Sequence, residues 1–156
     1  MAEKNGAWLA KQPESFKEIE KQLKAFYPVG ELTLYRKRRW YWEVKPEDIV
    51  KVADFCFNVL GCRFSIATGT DLTKGFTITY HFSIDRIGLL INVRVLLPHD
   101  SAEIDSLTVL APGFEWIERE LQELLGIKFR GLEDTRHLLL PDDTPSDYHP
   151  LRRSFG

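Results

Sequence analysis

Phe76-Thr77-Ile78-Thr79-Tyr80-His81-Phe82-Ser83-Ile84 is the stretch that decides the fold of this chain. Its apolar and aromatic side chains alternate strictly with polar ones, which is the period of a β-strand with one buried face. A turn at Asp85–Gly88 follows, and the same period returns at Ile91, Val93, Val95 and Leu97. The two runs predict a long antiparallel hairpin.

Shorter runs before this hairpin predict three more strands. Their shared signal is apolar residues two positions apart: Leu32 and Leu34 in the first, Trp40, Trp42 and Val44 in the second, and Phe64, Ile66 and Thr68 in the third. The basic run Arg36–Arg39 then falls on the turn between the first two strands. Because Trp40, Trp42 and Val44 share one face, they are expected in the core.

Apolar residues three and four positions apart predict three amphipathic helices. The first follows the capping-box pair Ser15 and Glu18, the second opens at Pro46 and ends before Gly61, and Gly126 stops the third. The inward-facing residues are Phe16, Ile19, Leu23 and Phe26 in the first helix, Ile49, Val52, Ala53, Cys56, Phe57 and Leu60 in the second, and Phe114, Ile117, Leu121, Leu124 and Leu125 in the third. Residues 98–112 are predicted to be connection.

Helices packed on a mainly antiparallel or mixed sheet describe an α+β domain, here assigned to residues 1–143. Beyond it the prolines Pro145 and Pro150 break any regular element. The segment is nevertheless too apolar and basic for an inert tail, since it carries Tyr148, His149, Leu151, Arg152, Arg153 and Phe155. Residues 144–156 are therefore predicted to be an extended docking arm that gains its order against another protein.

The composition gives no sign of a cofactor. The two cysteines, Cys56 and Cys62, are too few for the four thiolates of an iron–sulfur cluster, and the four histidines lack the spacing of a metal site. A net charge of −2 creates no overall field for nucleic acid or an anionic membrane. No apolar stretch is long enough to cross a bilayer, and the N-terminus lacks a signal-peptide segment. A reducing, cytoplasmic setting is expected.

The acidic third helix is the first candidate for chemistry. Glu118 and Glu120 stand two positions apart, so they point about 200° away from each other and cannot share a substrate. Glu115 with Arg119, and Arg119 with Glu123, have the spacing of ion pairs within a helix. The pattern excludes a catalytic dyad and favours a solvated, salt-bridged helix face.

The basic and aromatic run Arg36–Trp42 is the second candidate, because arginines and aromatic rings together can bind single-stranded nucleic acid. Burial of Trp40 and Trp42 would remove the rings needed for base stacking. A stand-alone nucleic-acid-binding module therefore remains the alternative function, tested by salt-sensitive binding that is lost when Arg38 and Arg39 are replaced.

The last forty or so residues contain three ordered motifs. They are Glu118-Arg119-Glu120-Leu121-Gln122-Glu123-Leu124-Leu125-Gly126-Ile127, then Asp134-Thr135-Arg136-His137-Leu138-Leu139 with Pro141-Asp142-Asp143, and His149-Pro150-Leu151-Arg152-Arg153-Ser154-Phe155. Together these motifs resemble the thirty-kilodalton hydrophilic subunit of respiratory complex I and its counterparts in energy-converting nickel–iron hydrogenases. Weaker likeness extends back to Leu32. Leu132, His137 and Ser154 depart from the family pattern, which favours a divergent branch, of a hydrogenase-like or related archaeal-type complex and not of a mitochondrial type.

The resemblance implies a cofactor-free, non-catalytic subunit. Family members pack against the large subunit, which holds the quinone pocket or nickel–iron site, and against the small iron–sulfur subunit, so those centres are expected in the partners. The complex would place this chain on the cytoplasmic side of the membrane. The residues predicted to bind partners are Glu118, Arg119, Glu120, Arg136, His149, Pro150, Leu151, Arg152, Arg153 and Phe155, with Arg136 bridging the helix and the arm.

Overall fold

The computed structural model describes residues 14–154 and shows an α+β fold. Helix α1 spans Glu14–Phe26, α2 spans Ile49–Asp54 and continues as a π-helical turn over Phe55–Val59, and α3 spans Glu115–Leu125. The strands are β1 Glu31–Arg36, β2 Arg39–Glu43, β3 Arg63–Leu72, β4 Gly75–Ile84, β5 Leu89–Leu97, β6 Glu103–Asp105 and β7 Lys128–Arg130. The predicted capping pair of α1 includes Ser15, whose side chain lies outside the described residues.

Five strands form one mixed sheet in the order β1-β2-β5-β4-β3. The predicted hairpin is confirmed, because β4 and β5 pair antiparallel in register from Phe76 opposite Leu97 to Ile84 opposite Leu89. The first hairpin, β1 with β2, joins the sheet through a parallel pairing of β2 with β5. The two hairpin turns therefore lie at the same end of the sheet.

The core lies between one face of this sheet and the three helices. Trp40 and Trp42 are fully buried there, as predicted, with Phe16 of α1 and Tyr27 packed against them. Large apolar side chains on adjacent strands continue this face, as the strict alternation in β4 requires. No helix within residues 14–154 has the length and apolar character needed to cross a membrane.

In strand β3 the predicted alternation through Phe64, Ile66 and Thr68 is wrong. A β-bulge between Phe64 and Ile66 shifts the register against β4. One extra residue reverses every side chain that follows it. Ala67 is consequently buried, and Ile66 is 48% exposed. The bulge moves a large apolar side chain from the core to the surface.

Residues 98–112 are not merely connection. They contain β6, which pairs in parallel with β7 to make a separate two-stranded sheet. Only the central residue of each strand, Ile104 or Phe129, is buried. Three residues with one inward side chain are too short to show a period of two, so the sequence pattern does not reveal this pairing.

Candidate docking site

Helix α3 carries the first motif, and its acidic residues do not form the predicted solvated face. Glu118 is fully buried. Its carboxylate accepts hydrogen bonds from the Ser106 hydroxyl at 2.5 Å and from the Leu107 amide at 2.7 Å. Burial raises the pKa of Glu118 to about 7 although both hydrogen bonds act in the opposite direction. Glu118 therefore ties the segment before α3 to the helix.

Arg119 attaches the segment after β7 to helix α3. Its guanidinium donates to the backbone carbonyl of Arg136 at 2.9 Å and to that of His137 at 3.1 Å. It also forms an ion pair with Asp134 at 3.1 Å, and Glu115 lies 3.8 Å away at the predicted spacing. Among the residues described, these two carboxylates, and not Glu123 as predicted, pair with Arg119.

Glu123 binds the next part of that segment. Its carboxylate accepts hydrogen bonds from the amides of Leu138 at 2.9 Å and Leu139 at 2.8 Å, and lies 3.2 Å from His137 Nδ1. Burial by itself raises the pKa of Glu123, but these hydrogen bonds outweigh burial and hold the pKa below its ordinary value. The position of Leu138 and Leu139 on the surface thus depends on one buried carboxylate.

The C-terminal arm caps the end of α3. The last carbonyls of a helix have no partner within it. The carbonyl of Glu123 accepts from His149 Nδ1 at 2.8 Å, that of Leu124 from the Leu151 amide at 3.0 Å, and that of Leu125 from Arg152 Nε at 2.7 Å. The positive charge of Arg152 also complements the negative end of the helix dipole.

Gly126 is the point at which the arm crosses the helix. Its φ of +72° lies in the left-handed region that favours glycine, and a Cβ there would stand 2.6 Å from His149 Nε2. Farther along the arm, the Arg153 amide donates to the Asp71 carboxylate at 2.9 Å and its side chain donates to the Thr73 hydroxyl. The arm is therefore attached both to α3 and to the β3–β4 hairpin.

These contacts correct the expectation that the arm is ordered by another protein. Residues 144–154 run as a series of turns and bind their own chain. The half-buried Pro150 precedes Leu151, which is 56% exposed, and Tyr148 is 40% exposed, so the arm keeps two outward side chains with large apolar surfaces. Phe155 lies outside the described residues. Partner binding by the arm stays a prediction.

Arg136 bridges α3 to the downstream segment by its backbone and not by its side chain. Its carbonyl accepts from Arg119, whereas its guanidinium, 83% exposed, pairs with Asp134 at 2.7 Å. Glu118 and Arg119, also predicted to contact partners, are occupied within the chain. Glu120 is half-buried and borders the surface groove described next.

An apolar groove of about 740 Å³ opens between β3, the start of α3 and the segment held by Glu123. Its most exposed side chains are Trp116 at 70%, Leu139 at 62% and Ile66 at 48%. Phe64 and Phe114 pack below them with ring centroids 4.1 Å apart. Exposed apolar side chains gathered over a packed base are typical of protein interaction sites.

The sequence patterns did not single out this groove. Trp116 lies off the apolar stripe of α3, which is a signal that was available: a large aromatic residue on a polar helix face needs an explanation. The exposure of Ile66 could not be predicted because it results from the bulge. That of Leu139 could not be predicted because it depends on a long-range hydrogen bond to Glu123.

Two further expectations can be compared with the fold. Trp40 and Trp42 are buried, so the basic turn lacks the tryptophan rings that the nucleic-acid alternative needs for stacking. Within residues 14–154, no three side chains of histidine, cysteine, aspartate or glutamate lie together in a way that could hold a metal ion.

Comparison with known protein families matches residues 42–156 to the family described as the respiratory-chain NADH dehydrogenase 30 Kd subunit. The chain belongs to this family. The match covers α3, the segment bound by Arg119 and Glu123, and the arm, which explains the three motifs as parts of one structural arrangement. In this member of the NADH dehydrogenase 30 Kd family, the motif residues attach irregular segments to a single helix.

Relatives include a subunit of the NADH-quinone oxidoreductase of Xanthobacter autotrophicus, 35% identical over 81% of this chain and 58% of that protein. Formate hydrogenlyase subunit 5 of Escherichia coli is 32% identical over 70% of this chain and 20% of its own length. The chain spans about three fifths of the NADH-quinone oxidoreductase relatives that it matches.

Solved structures share the fold. A chain of the membrane-bound sulfane sulfur reductase, an archaeal respiratory membrane complex, superposes with a TM-score of 0.79 at 23% identity, covering 91% of this chain and 86% of that one. A trypsin-resistant fragment of Nqo5 superposes with a TM-score of 0.60 at 20% identity, covering 76% of this chain and 98% of the fragment.

Proposed function

We propose that this chain is a structural subunit of a complex-I-like, membrane-bound oxidoreductase and that its apolar groove docks the large catalytic subunit. The small iron–sulfur subunit is a second partner. The iron–sulfur clusters, and a nickel–iron centre if the complex is a hydrogenase, belong to those partners. The chain itself supplies support without catalysis, on the cytoplasmic side of the membrane.

The exposure of Trp116, Leu139 and Ile66 around one groove carries this proposal. Large apolar side chains held by rigid elements lose little conformational freedom on binding, so their burial contributes to affinity. A buried tryptophan at the centre of an interface is a common site of large binding energy. Glu120 at the rim can pair with a partner cation as the apolar side chains are covered.

The side chains of the motif residues are already hydrogen-bonded within the chain, which supports a structural role. Glu118, Arg119 and Glu123 have the buried positions and charges expected of functional groups, but each is hydrogen-bonded to backbone or hydroxyl groups of its own chain. Structural networks shift pKa values as catalytic sites do. Here the Glu123 carboxylate holds Leu138 and Leu139 at one wall of the groove, which links the family motif to the proposed docking.

Co-expression with the large subunit tests the proposal. The wild-type chain is expected to co-elute with the large subunit, and Trp116→Asp, which places a charge in the groove, is expected to abolish co-elution. Val29→Asp is a matched control, because Val29 is 71% exposed beside β1, at the opposite edge of the sheet from β3. Co-elution of Trp116→Asp at the wild-type level would reject the groove as the docking site.

A further inference from the structure

The end of the sheet next to the groove carries an unneutralised basic patch. It comprises Arg36, Lys37, Arg38 and Arg39 around the β1–β2 turn and Arg86 in the β4–β5 turn, all of them exposed. Within residues 14–154, none of the five cations takes part in an ion pair. The nearby carboxylate of Asp85 is already bound by Arg63 at 2.8 and 3.1 Å.

The two turns are held together, so the patch is a defined surface. The amide of Leu90 donates to the carbonyl of Arg38 at 2.9 Å. The Arg38 side chain lies against Gly88, whose Cβ position would be 3.2 Å from Arg38 Nη1. The Arg36 guanidinium stands 5.3 Å from the centre of the Tyr35 ring. Such contacts limit the freedom that these cations lose on binding.

The patch is opposite in sign to the chain as a whole. Its five cations contribute +5, whereas the formal net charge of the chain is −2. Exposed charges act over roughly 8 Å at physiological salt. A small acidic segment can therefore contact these five cations alone, whereas a broad anionic surface also contacts the residues outside the patch.

The patch is continuous with the groove. Arg63 lines the groove at the start of β3, and its ion pair with Asp85 connects it to the turn that bears Arg86. An extended partner segment that leaves the groove in this direction would reach the β4–β5 turn with Arg86 first and then, across the end of the sheet, the β1–β2 turn. Arginine forks match carboxylates through paired hydrogen bonds, and four of the five cations are arginine.

We infer that the docking surface continues from the groove onto the basic patch and that the patch takes a carboxylate-rich segment of the partner protein. This inference rests on the proposed docking function and specifies the chemistry of the segment that docks. Nucleic acid is disfavoured because Trp40 and Trp42 are buried, and a membrane surface because the chain as a whole carries a net charge of −2.

A glutamate-only peptide of about ten residues is the probe, titrated into the full chain at about 50 mM salt. The peptide is expected to bind, to bind more weakly as salt rises, and to lose roughly tenfold in affinity for the double variant Arg36→Gln/Arg38→Gln. The control Lys21→Gln/Lys74→Gln removes the same charge from exposed positions elsewhere and should bind the peptide as the wild type does.

Three results would overturn the inference: no peptide binding at low salt, equal affinity for the arginine variant and the control, or tighter binding of single-stranded oligonucleotide or of vesicles containing anionic lipid. Each leaves the groove test unaffected, since Trp116→Asp is scored by co-elution with the large subunit. Failure of the wild type to co-elute instead rejects the proposed function, and with it the assignment of the peptide-binding patch to docking.

Discussion

The two ends of helix α3 differ in whether their groups find partners within the chain. At its C-terminal end, the carbonyls of Glu123, Leu124 and Leu125 all accept hydrogen bonds from the chain's own arm. At its N-terminal end, Trp116 is left 70% exposed over an apolar groove. An apolar and basic segment can therefore form its contacts within its own chain, and the proposed docking site lies at the other end of the same helix.

The largest stability effect is expected at Glu118, which lies inside the part of α3 nearer the groove. Its folded-state pKa of about 7 lies above the ordinary value of 4.5, so its contribution is fully present below about pH 4.5 and is lost as pH rises through 7. Relative to Glu118→Gln, the wild type should lose about 3 kcal/mol of unfolding free energy over this range. Urea unfolding of both proteins at several pH values measures this loss. A difference in unfolding free energy that stays constant with pH would contradict the prediction.

The next largest effect on stability is expected at the C-terminal end of α3, where the arm crosses the helix. Gly126→Ala introduces a Cβ at positive φ and pushes it towards His149, so it should lower the unfolding free energy by about 2 kcal/mol and loosen the arm. Gly113→Ala is the matched control, because Gly113 has no neighbouring atom within 4 Å of the Cβ position. Equal unfolding midpoints for the two variants would show that the arm does not depend on this crossing.

Glu123→Gln tests whether a residue near the C-terminal end of α3 positions a wall of the groove. It weakens the charge-assisted hydrogen bonds to the Leu138 and Leu139 amides and should cost about 1.5 kcal/mol. Hydrogen exchange at these two amides should rise, and binding of the large subunit should weaken because a groove wall moves. Glu120→Gln, at the groove rim, keeps those amides protected and serves as the control. Unchanged exchange in Glu123→Gln contradicts the assigned role.

Trp116→Ala should have the smallest effect on folding. The side chain is mostly exposed, so its loss should change the unfolding free energy by less than about 0.5 kcal/mol. Thermal unfolding of the isolated chain measures this. A drop comparable to that of Gly126→Ala would mean that Trp116 supports the core and is not reserved for a partner.

Long periodic patterns predicted most of the fold. The β4–β5 hairpin and the buried Trp40 and Trp42 followed from alternation, and Gly126 ended its helix as expected. The bulge before Ile66 could not be predicted, because an inserted residue leaves no mark in the pattern that it reverses.

The site was less predictable than the fold. A helical period assigns Glu118 and Glu123 to a polar face, but their hydrogen-bond partners lie 11 to 16 residues away in irregular segments. Burial of these carboxylates depends on tertiary contacts that no local pattern contains. The composition of the arm did not show that it contacts its own helix, and its binding to a partner stays a prediction.

The affinity of the large subunit for two variants tests the central claim most directly. One variant, Trp116→Ala/Leu139→Ala, removes the two most exposed side chains of the groove, and the other, Leu151→Ala, removes the most exposed large apolar side chain of the arm. The groove variant is expected to lose roughly thirtyfold or more in affinity, and the arm variant less than about threefold. The reverse order, with Leu151→Ala the weaker binder, would contradict the account and return the docking role to the arm.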